Sequence, residues 1–380
     1  MAGFQKNNSL DDIVNLTLDI SNPTNGNSDF SSMLVIVSAP KAPEKGMSST
    51  DGIFEITSAK QLVNQYGYTT DEDAYKVAKV IFDQRPQLAK VQFFVRKVTD
   101  GTAETIKECL DRANSMGDFY GIYIVGSHTA TDIVAAAEWT EFNEKLFQFD
   151  YQDITAFPFA DVQDYDKKYI RTHGIFSGLA SGYDADSQPE YNVFAGAALM
   201  AKCFGYAPGS ESWDSKELAD IEPSGLSEAQ KADLTKKNIT TFLRYANRNV
   251  SFGGKTIGGE WVDVIRFRDW LKDQVQVNIF EAKVKNPKIP YTDNGIAIIK
   301  GAITQALDDG VAAGGIPQTE YDADNNPILG YKVSVPLSAN ISATDKKSRK
   351  LKDVSFVARL AGAIHIVEIY GNLTYEQIFG

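Results

Sequence analysis

The chain has 380 residues, 43% hydrophobic and 23% charged, and its 50 acidic side chains against 38 basic ones give a formal charge of -12. That length can bury a large core and favours two domains over one, while the acidic balance argues against nucleic acid or an anionic membrane surface as partner, since both are polyanions. Another protein is the expected partner; Met1 to Leu10 is polar and no apolar run is long enough to span a bilayer, so neither secretion signal nor transmembrane helix is expected and the chain reads as cytoplasmic.

Residues 14 to 20 alternate strictly, with Val14, Leu16, Leu18 and Ile20 on one side and Asn15, Thr17 and Asp19 on the other, the pattern of a half-buried strand. Ser21 to Asp29 (SNPTNGNSD) has linker chemistry, polar with Asn, Pro and Gly, and Asn22 to Ser28 would be its leash. A short strand on such a leash is either a sheet edge of its own domain or an arm that completes the sheet of another molecule. From Phe30 onward apolar runs alternate with amphipathic stretches. A strand is predicted over Met33 to Val37. Ser58 opens a helix through a Ser-x-x-Gln box with Gln61, and Gly67 closes it. Asp71, Glu72 and Asp73 mark the positive end of the next helix, which turns Ala74, Val77, Ala78 and Ile81 inward and stops at Pro86. Further strands are predicted at Val91 to Val98, Phe119 to Val125, Ile154 to Phe159 and Thr172 to Ser177. Helices are predicted at Thr102 to Met116, at Ala130 to Phe149 with Glu141 and Lys145 spaced i,i+4, at Val162 to Ile170 and at Tyr191 to Phe204. This alternation predicts an α/β body whose mainly parallel sheet is covered on both faces. Tyr206 to Glu228, with Pro208, Gly209, Pro223 and Gly225, is looser and reads as the passage toward a second, α+β domain.

Glu260 to Ala282 is long enough for a dominant helix. Val264, Leu271, Val275, Ile279 and Ala282 form one apolar stripe, and Trp270, Val277 and Phe280 a second one roughly opposite, so two sides should be covered. An elbow at Asn286 to Pro290 stops it. Thr292 or Asp293 can cap the next helix, which stacks Ile296, Ile299, Ile303, Ala306, Leu307 and Val311 before Gly310 and Gly314 end it. A strand at Gly330 to Val335, a basic segment Thr344 to Lys352 and two apolar runs, Val354 to Leu360 and Ile364 to Tyr370, complete the chain, with a hinge at Gly362. The last pair is a second candidate for strands shared between molecules.

Chemistry is hard to find. Gly253-Gly254-Lys255-Thr256 has the look of a phosphate loop, but Asn249 stands where that motif needs a glycine, which leaves a glycine turn leading into the Trp261 helix. Asp322, Asp324 and Asn326 have calcium-loop spacing, yet Pro327 and Val333 occupy the places of the turn glycine and the bidentate glutamate; Asp184 and Asp186 fail in the same way. His128, His173 and His365 are the only histidines and none lies at ligand spacing to another His or to a Cys, so structural roles are expected. Cys109 and Cys203 read as reduced, packed thiols. No Gly-x-Ser-x-Gly elbow exists. Catalytic, cofactor and metal residues are therefore assigned nowhere. Arg266, Arg268 and Asp269 form the densest charged group, and a buried ion pair between Arg268 and a carboxylate elsewhere is expected ahead of a binding role.

The order Gly259-Glu260-Trp261, then Val262-Asp263-Val264-Ile265-Arg266-x-Arg268-Asp269-Trp270-Leu271, then Ile289-Pro290-Tyr291-Thr292-Asp293-x-Gly295-Ile296 resembles the compact sheath proteins of contractile phage tails and phage-tail-like bacteriocins. Tyr66-Gly67, Tyr75, Phe82, Gln84-Arg85-Pro86 and Val95-Arg96 resemble the amino-terminal half of the same family. The resemblance implies an arm and linker at 1–29, an outer α/β domain at 30–245, an inner α+β domain at 246–360 and a carboxy-terminal arm at 361–380. It further implies a structural protein, not an enzyme, that forms stacked hexameric rings around a tail tube and contracts to drive the tube through a target envelope. Its partners would be further copies of itself, the tube protein, and baseplate and tail terminator proteins, with no nucleic acid, membrane or cofactor. Its place would be the contractile tail of a virion assembled in the host cytoplasm. On this reading Val14, Leu16, Leu18 and Ile20, and Ile364, Ile366, Glu368 and Tyr370, lie on strands donated to neighbouring subunits. Lys346, Lys347, Arg349, Lys350 and Lys352 either meet acidic residues on the tube or form a solvated helix turn. The alternative is a cytoplasmic α/β enzyme or ligand-binding protein with its pocket at the carboxyl edge of the sheet.

Overall fold

Two periodicities organise the molecule, and the first strand shows one of them. In the computed structural model of the chain, which describes residues 29–41, 48–126, 129–178 and 190–369, strand β1 (Met33–Val37) sends Met33, Val35 and Val37 into one core and Leu34 and Ile36 into another. A strand buried on both faces is the mark of a sheet layered between helices. Next come β2 (Phe54–Ile56), α1 (Lys60–Tyr66), α2 (Asp73–Asp83) and β3 (Val91–Val95). A small hairpin of β4 (Val98–Thr99) and β5 (Thr102–Ala103) precedes α3 (Ile106–Met116), β6 (Gly121–Ile124) and α4 (Ala130–Asn143). Then β7 (Leu146–Tyr151), the short α5 (Tyr165–Lys168), β8 (Thr172–Phe176) and α6 (Ala195–Phe204) follow. After α7 (Glu228–Lys236) the chain makes the hairpin of β9 (Thr240–Tyr245) and β10 (Arg248–Phe252). These build one eight-stranded sheet in the order β10-β9-β8-β7-β6-β1-β3-β2, in which only the edge strands β2 and β10 run antiparallel to their neighbours. Helices α2 and α6 cover one face and α3 and α4 the other, as the strand and helix alternation predicts.

The remaining chain is helical, then extended: α8 (Val262–Lys285), α9 (Asp293–Ala313), β11 (Glu320–Tyr321), β12 (Pro327–Ile328), β13 (Tyr331–Ser334), α10 (Ala343–Ser348) and β14 (Ser355–Ala358). The elbow after α8 falls at Asn286, and Thr292 caps α9 by accepting the Gly295 N–H. Gly314, at φ 90, ends α9, whereas Gly310 is inside it.

Several local expectations are corrected. The helix predicted over Ala130 to Phe149 stops at Asn143 because Glu144 turns left-handed at φ 51, and residues 146–151 are β7, buried along its whole length. Phe147, Phe149 and Tyr151 alternate with Gln148 and Asp150, the period of a strand, although both polar side chains are buried as well. Glu141 and Lys145 look elsewhere: Glu141 accepts the Arg171 N–H at 2.6 Å and Lys145 meets Asp118 at 3.2 Å. Ile154 to Phe159 is a set of turns rather than a strand. The helix expected over Val162 to Ile170 shrinks to α5. Helix α1 starts at Lys60 without a Ser58 box, since the Gln61 side chain accepts the Thr57 N–H instead. Helix α3 starts at Ile106 behind a capping box of Thr105 and Glu108. The loose stretch 206–228 is packed down, with Trp213, Leu218 and Ile221 in the same core as α2 and α6, and β9 and β10 after it extend the same sheet.

One buried acid ties the sheet to α6. Asp150 on β7 accepts the Tyr123 hydroxyl at 2.5 Å and the Gly196 N–H at 2.9 Å, and burial pushes its carboxyl up to about 7 from an ordinary 3.8. The folded chain thus keeps a proton that the unfolded chain releases above pH ~4, so this group's contribution to stability falls as pH rises from about 4 to about 7 and is flat beyond. Asp150→Asn, which needs no proton to stay neutral, is expected to flatten the decline in melting temperature across that window. Glu141 and Asp263, raised by burial to about 7 and about 6, leave a residual slope of the same sign. Equal slopes in the two proteins would show that Asp150 is not a source of the decline.

Candidate intersubunit interface

Helix α8 has 24 residues, which at 1.5 Å per residue makes a strut of about 36 Å. Its first half is buried on a charged stripe spaced three and four residues apart: Arg266, Asp269, Lys272, Asp273 and Gln276. Arg266 donates from Nε to the Phe30 carbonyl, from Nη1 to Glu211 at 2.6 Å and the Cys203 carbonyl, and from Nη2 to Ser31 and the Tyr206 carbonyl. That uses all five guanidinium donors. Asp269 receives both Nη atoms of Arg171, at 2.5 and 3.1 Å, and the Tyr120 hydroxyl at 2.9 Å. Burial alone would raise the Asp269 carboxyl, but the Arg171 and Arg268 guanidiniums override it and hold it below the ordinary range. Lys272 faces Glu144 at 3.6 Å. Phe30, Tyr120, Glu144 and Arg171 stand shortly before the first residues of β1, β6, β7 and β8, so α8 lies across the amino ends of four adjacent strands. The fully buried arginine is Arg266 and not the expected Arg268, which reaches its own neighbour Asp269 at 2.8 Å.

Phe267, Leu271 and Val275 face another way and join Ile303, Ala306, Leu307 and Ile316 in a separate core. On this core rests a two-stranded ribbon, β13 antiparallel to β14, with Tyr331 opposite Ala358 and Val333 opposite Phe356 turned inward. Among the described residues the ribbon has no third strand, so each strand keeps one open edge. An isolated pair of four-residue strands is marginal in water; here the α8 and α9 core supports it. Open edges with good backing are templates for another chain.

Past β14, Arg359 N–H bonds Gly330 and Ala361 N–H bonds Gly315. The stretch 361–369 has no regular structure, and Ile364, Ile366, Val367 and Ile369 are 86%, 72%, 69% and 84% exposed. Glu368 is exposed in the same run, while Tyr370 lies outside the described residues, as do Val14, Leu16, Leu18, Ile20 and the leash 22–28. Lys346 and Lys347 sit on α10 and Arg349 ends it in left-handed conformation, followed by Lys350 and Lys352. Lys346 donates to the Ser338 carbonyl and Lys352 pairs with Asp345 at 2.6 Å, so part of the patch is already tied.

The other motifs are used internally. Gly253 and Gly254, at φ 128 and 100, donate their N–H groups to Asp214 and Thr240 and leave none for a phosphate. His173 is buried between Gln148 and Thr240, and burial pushes it down to about 3, so it stays neutral. His128 lies outside the described residues. Cys109 and Cys203 are buried free thiols. Asp322 accepts from Asp324 and Asn326 in an exposed turn. At the carboxyl ends of β1 and β6 there is a cleft of about 220 Å³ lined by Lys41, Tyr68 and the acids 71–73. Three acids at the start of α2 repel the phosphates that such a switch point often binds.

Residues 262–373 match the family model described as E217 tail sheath protein gp31-like, C-terminal domain, a span that starts with α8 and passes β14. A chain of the anti-feeding prophage baseplate, solved by cryo-EM with 6-fold symmetry, is similar across 95% of this chain and 98% of its own at a TM-score of 0.65 and 13% identity. The fold is that of contractile tail sheath proteins. The anti-feeding prophage helical sheath in its contracted state covers 96% of this chain and 98% of its own, with a TM-score of 0.64 and 12% identity. The contracted sheath complex of the extracellular contractile injection system PVC covers 99% and 97%, with 0.63 and 12%. No curated protein sequence matches the chain. In this sheath fold the family-matched part holds the α8 strut, the α9 core and the open ribbon.

Removing one member of the α8 lattice should cost more than replacing a pair. Asp269→Ala, which strips Arg171 of its carboxylate, is expected to lose about 3–5 kcal/mol, and Arg171→Met combined with Asp269→Leu to lose clearly less. Urea denaturation of Arg171→Met, Asp269→Leu and the double variant, beside Asp269→Ala, measures this, and additive losses would mean that the groups do not couple.

Proposed function

We propose that the chain is a structural subunit of a contractile sheath, polymerising as stacked hexameric rings around a tail tube and shortening to drive the tube through a target envelope. The observation that carries this reading is the ribbon of β13 and β14, held by α8 and α9 with both edges open beside an exposed apolar terminal run. A strand added at either edge gains main-chain hydrogen bonds worth about 0.5–1.5 kcal/mol net each, and each Ile or Val it buries adds roughly 1.5–3 kcal/mol. The strand carrying Val14, Leu16, Leu18 and Ile20 joins one neighbour's ribbon, and the run Ile364 to Tyr370 joins another's. A Gly- and Asn-containing leash lets bodies slide while those strands stay paired. Contacts of this head-to-tail kind do not close, and so build a helix. Weaker contacts between bodies are exchanged as the array shortens.

The same reading divides the chain into arm 1–29, outer body 30–245, inner domain 246–360 and arm 361–380, with β10 carrying the sheet past residue 245. It adds the tube, baseplate and terminator proteins as partners and the tail of a particle assembled in the host cytoplasm as location. Lys346, Lys347, Arg349, Lys350 and Lys352 face acidic residues of the tube.

Deleting residues 1–20 is expected to leave a soluble folded monomer that forms neither rings nor tubes by negative-stain microscopy; polymer from the shortened chain would refute strand donation. Lys346, Lys347 and Lys350 changed together to Glu should abolish assembly on tubes while self-association persists. Normally sheathed tubes from that triple variant would rule out the basic contact.

A further inference from the structure

Within 361–369 a single side chain, His365, is withdrawn from solvent. Its ring meets Trp261 edge to face with centroids 4.5 Å apart at 88°, and its Nε2 lies 3.2 Å from the Ser212 hydroxyl, within hydrogen-bond distance. Both partners belong to the rigid root of α8. Trp261 is the residue from which the helix starts, with Lys255 Nζ 5.0 Å from its ring centre, and Ser212 follows Glu211, the carboxylate that pairs with Arg266. Between this dock and the ribbon stands Gly362, at φ 64 with open space around it, just after Ala361 is fixed to Gly315. The terminal run is therefore tied at its base, jointed at Gly362 and pinned again at His365, while Ile364, Ile366, Val367 and Ile369 face water.

We propose that His365 parks the carboxy-terminal segment on its own subunit, holding it away from the open ribbon edge of a second copy until assembly displaces it. This rests on the reading of that segment as a donated strand. The hold is modest: one aromatic contact and one hydrogen bond together favour the docked state by about 5- to 150-fold. Pairing along a ribbon edge forms several main-chain bonds and buries the isoleucines, so it wins once a neighbour is in register. The clasp thus slows pairing between free subunits and yields to a growing end.

The experiment uses the full chain with a spin label at Val367→Cys, both native cysteines being buried. It compares His365→Ala and Ser212→Ala with the parent for label mobility in the monomer and for the lag before polymerisation. His365→Ala cannot disturb the core from its exposed segment; it is expected to free the label and shorten the lag about fivefold or more, with Ser212→Ala between it and the parent. Unchanged mobility in His365→Ala would overturn the clasp. A longer lag with a freed label would overturn its role as a brake. If the label is freed but neither parent nor variants polymerise under any condition, the clasp is upheld and the sheath reading fails instead.

Discussion

A guanidinium with no hydrogen to spare fixes the geometry of this molecule. Arg266 is fully enclosed and bonded to Phe30, Ser31, Cys203, Tyr206 and Glu211, and three and six residues on, Asp269 and Lys272 meet Arg171 and Glu144. An apolar helix root could slip by a turn and still bury its side chains. This one cannot, because a shift would leave charges unpaired in a dry interior at a cost of several kcal/mol. The pairs add little to stability compared with apolar packing of the same volume; what they specify is register. Since another face of α8 supports the ribbon's core through Leu271 and Val275, the register of the root determines where the ribbon edges stand relative to the sheet.

That arrangement separates what must be rigid from what must be exchangeable. The eight-stranded sheet and the α8 root form an interior in which each displacement is resisted by packing. The ribbon and the terminal run offer edges and exposed apolar side chains, which cost little to leave and gain much when joined. In the proposed assembly a force arriving at the ribbon is transmitted through α8 to the amino ends of β1, β6, β7 and β8 instead of being lost in a flexible link. The joint at Gly362 lies beyond this strut, so the terminal run can reorient without moving the ribbon.

How much of this is legible in the sequence depends on which residues carry period. The stripe Ile296, Ile303, Ala306 and Leu307 named α9 and its inner face, and the alternating strands and helices named a doubly covered sheet. Strand β7 falls inside a predicted helix because the alternation of Phe147, Phe149 and Tyr151 with Gln148 and Asp150 is short and no breaker follows Asn143; β9 and β10 escape prediction because a hairpin closed by Ala246 at φ 50 lacks the Asn-Gly signal. At the α8 root the sequence points to a buried ion pair in the group Arg266, Arg268 and Asp269 but not to the right arginine, because the partners that decide it, Arg171 and Glu211, are distant in sequence.

The two ends of the sheet have been put to different uses. In a mainly parallel sheet the carboxyl edge collects loops and helix starts, which is where α/β proteins bind ligands. Here the acids 71–73 occupy the start of α2, and Glu72 accepts the Lys41 and Thr69 N–H groups. The amino edge, where the strand ends present backbone and the residues just before β1, β6, β7 and β8, has become the socket for α8. A socket must be specific and stiff, which buried ion pairs supply, whereas an active site must admit and release. The sheet's elaboration has gone into holding a strut.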